Sequence, residues 1–221
     1  MMFTQAEENY LKAIYKITQT SADQSANTKA IATELGTTSA SVTDMIKKLA
    51  EKELLTYEKY YGVSLTREGQ KTAIMLLRKH RLWEAFLHDK LGFSWDEVHD
   101  VAEQLEHIQS ILLIERLDAY LGYPRFDPHG DPIPNENGSF TYRNQVPLST
   151  IHEAGKTVVM LGVRQHQPEF LRYLDGLSLK PGSILKIHGI GEYDQSIRLS
   201  VDQHDEITIT QQVSQDILVK P

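Results

Sequence analysis

Between Tyr123 and Phe140 the chain reads YPRFDPHGDPIPNENGSF, with four prolines in 18 residues. Proline has no backbone donor and a fixed φ, so neither a helix nor an interior strand can run through such a stretch. It reads as a loop or linker, and it splits the sequence into two parts of different period. From about Val146 the apolar residues come in short β-prone runs: TVVMLGV, GSILKIHGI, SIRLSVD and EITIT. LKPGS supplies a turn, and PEFLRYLDG reads as one short helix with Pro168 near its start and Gly176 past its end. Residues 146–221 are therefore a small β-rich domain.

Ahead of the loop the period is helical. AEENYLKAIYKIT (6–18) is an amphipathic helix, and TSADQSAN after it a polar loop. TKAIATELG runs from Thr28 to a terminating Gly36. The next segment opens on Ser/Thr caps and puts Val42, Met45, Ile46 and Leu49 on one face. Two helices joined by a short glycine turn form a helix-turn-helix, and LLTYEKYYGVSLT behind them forms a hairpin turning at Tyr61-Gly62. Together they make a winged helix over residues 1–72. The helix from Ser39 to Leu49 is expected in the major groove, with Thr38, Ser39, Ala40 and Ser41 outward in its first turn and Thr43 and Asp44 a turn later. Lys47 and Lys48 are expected to reach phosphates, against the plainer reading of a solvated face. Tyr60 and Tyr61 at the wing tip are placed against a DNA backbone, against the plainer reading of hairpin filler. Small side chains make few bidentate base contacts, so DNA shape and methyl contacts should carry much of the specificity.

Residues 73–141 hold the remaining helices and the proline-rich loop. One long helix runs from Thr66 to Gly92; a second, capped by Ser94, is expected to continue to Gly122. This second segment contains VHDVAEQLEHIQS. At about 100° per residue, with His99 at zero, Glu103 falls near 40°, Glu106 near −20° and His107 near 80°, one face of a helix. His80 and Glu84 stand at i and i+4 on the preceding helix. Imidazole nitrogen with carboxylate oxygen suits Mn, Fe, Co, Ni or Zn, and the carboxylates tilt the set toward harder ions such as Mn(II). A single i,i+4 His/Glu pair is usually a solvated surface pair; four ligand types on one face of a largely apolar helix are harder to dismiss. His88 is read as a surface histidine, and Trp83, Phe86, Leu87, Leu91 and Trp95 as core or dimer packing.

Composition narrows the chemistry further. The chain has no cysteine, which excludes disulfides, thiolate sites and thiol catalysis. It has no run of about 18 apolar residues and no signal pattern at MMFTQAEENY, so a soluble cytoplasmic protein is expected. The net charge of −7 is uneven. Residues 1–80 hold 11 Lys+Arg against 9 Asp+Glu; residues 81–221 hold 12 against 21. A mildly basic front suits phosphate and an acidic back suits cations. H-E-x-x-H, a P-loop and G-x-S-x-G are all absent, which argues against an enzyme. Two other readings stay open: a winged-helix regulator of a non-metal effector, with the His/Glu face a structural network, and a metal-dependent hydrolase.

The order helix-turn-helix, wing, H-R-L-x-E, then V-H-D-x-A-E-x-x-E-H resembles the DtxR/MntR family of metal-dependent repressors. EENYLKAIY, LTREGQ, DPHGDPIP and LKPGSILKI extend the resemblance over nearly the whole chain, to members with a C-terminal SH3-like (FeoA-like) domain. The resemblance implies a multidomain chain, mainly α with β: winged helix-turn-helix, α-helical metal-binding and dimerisation domain, and SH3-like β-barrel. It implies a homodimer that binds palindromic double-stranded operator DNA when Mn(II) or Fe(II) is bound. His80, Glu103, Glu106 and His107 match the primary-site positions. The family usually adds an Asp or Met where this chain has Asn9, a ligand without charge, and Glu8 is the alternative. Manganese-type members carry a Glu where this chain has Lys12, so that ligand is missing. Glu84 and His99 resemble an ancillary site, to which Asp127 and His129 of the loop and His166 and Glu169 of the last domain are further candidates.

Overall fold

The computed structural model describes residues 3–21, 23–58, 62–202, 204 and 206–221. They form two compact units, one of residues 1–80, 103–111 and 134–139, the other of residues 81–102, 112–133 and 140–221.

The first unit opens with α1 (Gln5–Thr20), started by a capping box: Thr4 Oγ1 accepts from the Glu7 amide, and Glu7 Oε2 accepts from the Thr4 amide at 3.0 Å. Asn27 caps α2 (Thr28–Glu34) and Thr38 caps α3 (Ser39–Glu51). Leu11 and Ile14 of α1, Ile31 of α2 and Val42, Ile46 and Leu49 of α3 meet in one apolar core. Removal of this apolar area from water holds the three helices together. The wing follows as β1 (Leu55–Glu58) and β2 (Gly62–Leu65), antiparallel from Leu55↔Leu65 to Glu58↔Gly62. Gly62 has φ +101°, and a Cβ there would stand 2.8 Å from the Ala26 carbonyl oxygen, so only glycine lets β2 pair with Ala26. Tyr60 and Tyr61, the expected wing contacts, lie outside the described residues.

The long helix is present as α4 (Arg67–Leu91). The single helix expected from Ser94 to Gly122 is not: α5 (Val98–Leu105) and α6 (Ile111–Tyr120) are separated by residues 106–110. Glu106 and His107 therefore leave the helix, and the one-face arrangement expected for His99, Glu103, Glu106 and His107 does not form. Polar contacts made far away in sequence override the helical period. The Glu106 carbonyl accepts from Lys79 Nζ at 3.0 Å, and its side chain is held by α1 and α4.

In the second unit an antiparallel six-stranded sheet has the order β3-β8-β4-β5-β6-β7. Its strands are β3 (Val146–Pro147), β4 (Thr157–Val163), β5 (Ile184–Ile190), β6 (Ile197–Val201), β7 (Glu206–Ile209) and β8 (Ile217–Lys220). The sequence reading names neither β8 nor the short α8 (Gln211–Asp216) that leads straight into it. Met160, Leu185, Ile187, Leu199, Ile217 and Val219 form the core, closed by Leu171 and Leu174 of α7 (Pro168–Gly176) and by Trp95.

The proline-rich loop is ordered by its own bonds. Asp127 Oδ1 accepts from the amides of His129 at 2.9 Å and Asp131 at 3.0 Å. The Val163 amide donates to the His129 carbonyl at 3.0 Å, which fastens the loop to β4. Arg143 donates to the carbonyls of Gly130 and Leu161 and lies 3.9 Å over the Phe126 ring.

Candidate metal centres

The first unit gathers a cluster of carboxylates and imidazoles from four places: Glu8, Asn9 and Lys12 on α1, His80 on α4, Glu103 on α5, and Glu106 and His107 on the turn after α5. Glu106 is fully buried, and its oxygens accept from Lys12 Nζ at 2.6 and 2.8 Å. The same Nζ lies 2.5 Å from Glu103 Oε1. His80 Nδ1 is 2.6 Å from Glu106 Oε2. Glu8 Oε2 is 2.6 Å from His107 Nδ1, and its Oε1 accepts from Gln109 Nε2 at 2.9 Å. His107 Nε2 stands 3.8 Å from Glu106 Oε1. That is too long for a hydrogen bond, but two donors each about 2.1 Å from one ion stand about 3–4 Å apart. Asn9 Oδ1 is buried with no hydrogen-bond partner, an arrangement proteins avoid unless a ligand or strain accounts for it.

Lys79 of α4, which donates to the turn's Glu106 carbonyl, has its pKa lowered by burial, against the charges of Glu8 and Glu106, which raise it. One residue before Glu8, the Glu7 carboxylate is also fully buried, 2.6 Å from Lys52 Nζ and 3.0 Å from Lys48 Nζ. Burial raises the Glu7 pKa, but the hydrogen bonds from Lys52, the Thr4 amide and Lys48 outweigh it and bring it to about 2.

The second unit holds a second cluster. Glu84 of α4, Asp127 and His129 are all buried, and each offers one donor atom within 4.8 Å of the others'. His129 Nδ1 is 3.9 Å from both Glu84 Oε2 and Asp127 Oδ1. His129 Nε2 lies 2.7 Å from the Trp95 carbonyl. A carbonyl only accepts, so Nε2 donates, and in the neutral ring Nδ1 is the bare nitrogen aimed between the two carboxylates. That nitrogen has no hydrogen-bond partner, nor has Nε2 of His166, whose ring stacks on His129 at 4.5 Å. Burial lowers the His166 pKa to about 4, so the His166 ring is neutral near neutral pH. His99 Nδ1 stands 3.4 Å from Glu84 Oε1. Burial raises the Asp127 pKa well above the usual carboxylate range, with Glu84 and Asp131 adding to the rise and Arg81 opposing it. Carboxylates that repel one another beside bare imidazole nitrogens are a donor set that a divalent cation satisfies.

Most of the expected ligands thus fall into these two clusters. Glu169 does not: its side chain is 81% exposed and pairs with Arg172. Asp127 and His129 are buried rather than turned to solvent, because the loop's internal bonds point them inward. Four contributors were missed as site members. Asp131, 4.0 Å from His166 Nε2 and 2.8 Å from Arg81 Nη2, belongs to the same D-P-H-G-D run as Asp127. Gln109 and Lys12 carry no local signal for these contacts, and Glu7 none beyond its capping box with Thr4, since the partners lie 45 to 101 residues away. Thr38, the cap of α3, and Ser39, Ala40, Ser41, Thr43, Asp44, Lys47 and Lys48 within it are all exposed. Lys47 pairs only loosely with Asp44, at 3.5 Å, whereas Lys48 is engaged by Glu7.

Three family descriptions match successive parts of the chain: "Iron dependent repressor, N-terminal DNA binding domain" over residues 2–63, "Iron dependent repressor, metal binding and dimerisation domain" over 66–135, and "FeoA domain" over 146–221. The chain is 34% identical over 126 residues to the HTH-type transcriptional regulator MntR of Oceanobacillus iheyensis, covering 57% of this chain and 84% of that protein. It is 32% identical over 127 residues to the diphtheria toxin repressor of Corynebacterium jeikeium, 58% of this chain and 52% of that one, so it spans about half the length of that relative. A solved manganese-dependent transcriptional repressor in complex with manganese is similar over 97% of this chain and 99% of its own, at 34% identity and a TM-score of 0.81.

Proposed function

The chain belongs to the DtxR/MntR family of metal-dependent transcriptional repressors, and from that premise we propose that it represses genes of metal homeostasis by binding palindromic operator DNA as a homodimer when Mn(II) or Fe(II) is bound. In this reading residues 1–72 bind DNA, 73–141 bind metal and dimerise, and 146–221 are the SH3-like domain. No helix among the described residues is long and apolar enough to cross a membrane. A cytoplasmic place of work is part of this proposal and follows from its role on operator DNA. The first site is held by His80, Glu103, Glu106 and His107 with Glu8 or Asn9, the second by Glu84, His99, Asp127, His129 and His166. The buried, partnerless Asn9 Oδ1, His129 Nδ1 and His166 Nε2 support both assignments. A bound divalent ion supplies positive charge and directed coordination to these donors.

What the chain itself does is transmit position. Glu7 and Glu8 are consecutive on α1; Glu7 holds Lys48 and Lys52 at the end of α3, and Glu8 holds His107 beside the first cluster. This is the observation that carries the reading. Anything that fixes α1 against the turn after α5 also fixes α3, the helix expected in the major groove. Coupling of this kind is typically worth about 1–3 kcal/mol, some 5- to 150-fold in affinity.

A duplex selected from a random pool on manganese-loaded protein provides the probe. Its affinity should fall at least fivefold in chelator, together with loss of bound metal, and Glu103→Ala or His107→Ala should abolish the response to Mn(II). A normal response in either variant refutes the site; binding indifferent to metal in the parent favours a non-metal effector.

A further inference from the structure

One charge in the first cluster has no place in a simple ligand set. The Lys12 side chain is only 7% exposed, and its ammonium bridges two carboxylates, 2.5 Å from Glu103 and 2.6 Å from Glu106. Glu106, at 0% exposure, has both oxygens engaged: Oε1 by Nζ at 2.6 Å, Oε2 by Nζ at 2.8 Å and by His80 Nδ1 at 2.6 Å. Lys79, the other nearby cation, binds the Glu106 carbonyl rather than its carboxylate. A buried carboxylate deprived of a compensating charge is strongly unfavourable, and a cation that bridges two of them draws together the segments that carry them. Nζ therefore stands in contact with the very oxygens through which Glu103 and Glu106 would hold a metal.

Resting on the reading of this cluster as a metal site, we propose that Lys12 is a tethered cation that competes with the metal. It closes α1 onto the Glu103–Glu106 segment before metal arrives, and it must give up carboxylate oxygens for metal to bind. Two consequences follow. The metal-free protein is more ordered than a cluster of repelling carboxylates would allow, and its affinity for metal is lower than the donor set alone would give.

The test is Lys12→Met, which keeps the apolar stem and removes the charge, with Lys12→Arg as the charge-conserving control. All are made in a His129→Ala background, so that manganese reports the first cluster, and binding is measured by calorimetry with metal content by mass spectrometry. Lys12→Met should bind Mn(II) at least tenfold more tightly than its parent, while Lys12→Arg stays within threefold. Thermal unfolding should show Lys12→Met destabilised without metal and restored by Mn(II). Unchanged or weaker binding in Lys12→Met, or a destabilisation that Mn(II) does not restore, overturns the inference alone. If manganese held by the His129→Ala protein is insensitive to Glu106→Ala, the cluster is no metal site and both readings fall.

Discussion

Glu7 condenses the residue-scale physics of this chain, since one carboxylate caps α1, anchors α3 and sits wholly out of water. Its pKa in the folded protein, about 2, lies below the ordinary value of 4.5. A depressed carboxylate contributes stability that is fully present above its unfolded pKa and is lost as pH falls through its folded one. Glu7→Gln should therefore lower stability by about 1.5–3 kcal/mol at pH 7, the range for hydrogen bonds to a charged group. The deficit against the parent should shrink between pH 4.5 and pH 2, followed by urea unfolding at a series of pH values. A deficit that stays constant to pH 2 would assign the loss to shape rather than charge. The sequence displays half of this role. Thr4-x-x-Glu7 is a visible capping box, but the partnership with Lys48 and Lys52 depends on tertiary packing of α1 on α3, which no local spacing encodes.

At the scale of elements, periodicity identifies those whose stability comes from an apolar face. The helices α1 to α4, the wing and strands β4 to β7 all fall where alternation or helical spacing puts them. It misjudges the segment from Val98 to Tyr120, where Glu106 and His107 are drawn off the helix by Lys12, Lys79, His80 and Glu8. It also overlooks β8, four residues entered directly from α8 with no turn between them. The second cluster depends on another contact between elements, the loop against β4. A Cβ on Gly162 would stand 2.9 Å from Gly130 Cα and closer still to the His129 carbonyl, with backbone on both sides and nothing flexible to yield. Gly162→Ala should destabilise the protein by about 1–3 kcal/mol, the usual cost of overpacking. It should also shift His129, so manganese bound per chain should fall while the response of the first cluster persists. Full metal content in a destabilised Gly162→Ala protein would detach the loop's packing from the second cluster.

At the scale of the whole molecule the decisive quantity is how many groove-reading helices act together. One α3 presents small side chains, Ser39, Ala40 and Ser41, so a single copy has little with which to hold a base sequence. Two copies fixed one helical turn apart multiply the contacts without any new chemistry, which is how a palindrome is read. The sequence exposes the surface for such pairing only indirectly, through an α6 more apolar than a solvated helix needs to be. Ile111 is 76% exposed and Leu112 58%. Apolar side chains of this size, side by side on one helix, point to a partner surface. Leu112→Asp should therefore shift the protein toward monomers in sedimentation velocity at micromolar concentration. Operator affinity should drop at least a hundredfold at saturating manganese, because each half-site must then be bought by a separate binding event. Manganese bound per chain should not change, since none of the donors in either cluster lies on α6. Loss of DNA affinity with the dimer intact would instead place Leu112 in the path between metal and α3, and a monomer that still binds operator tightly would mean that one winged helix suffices.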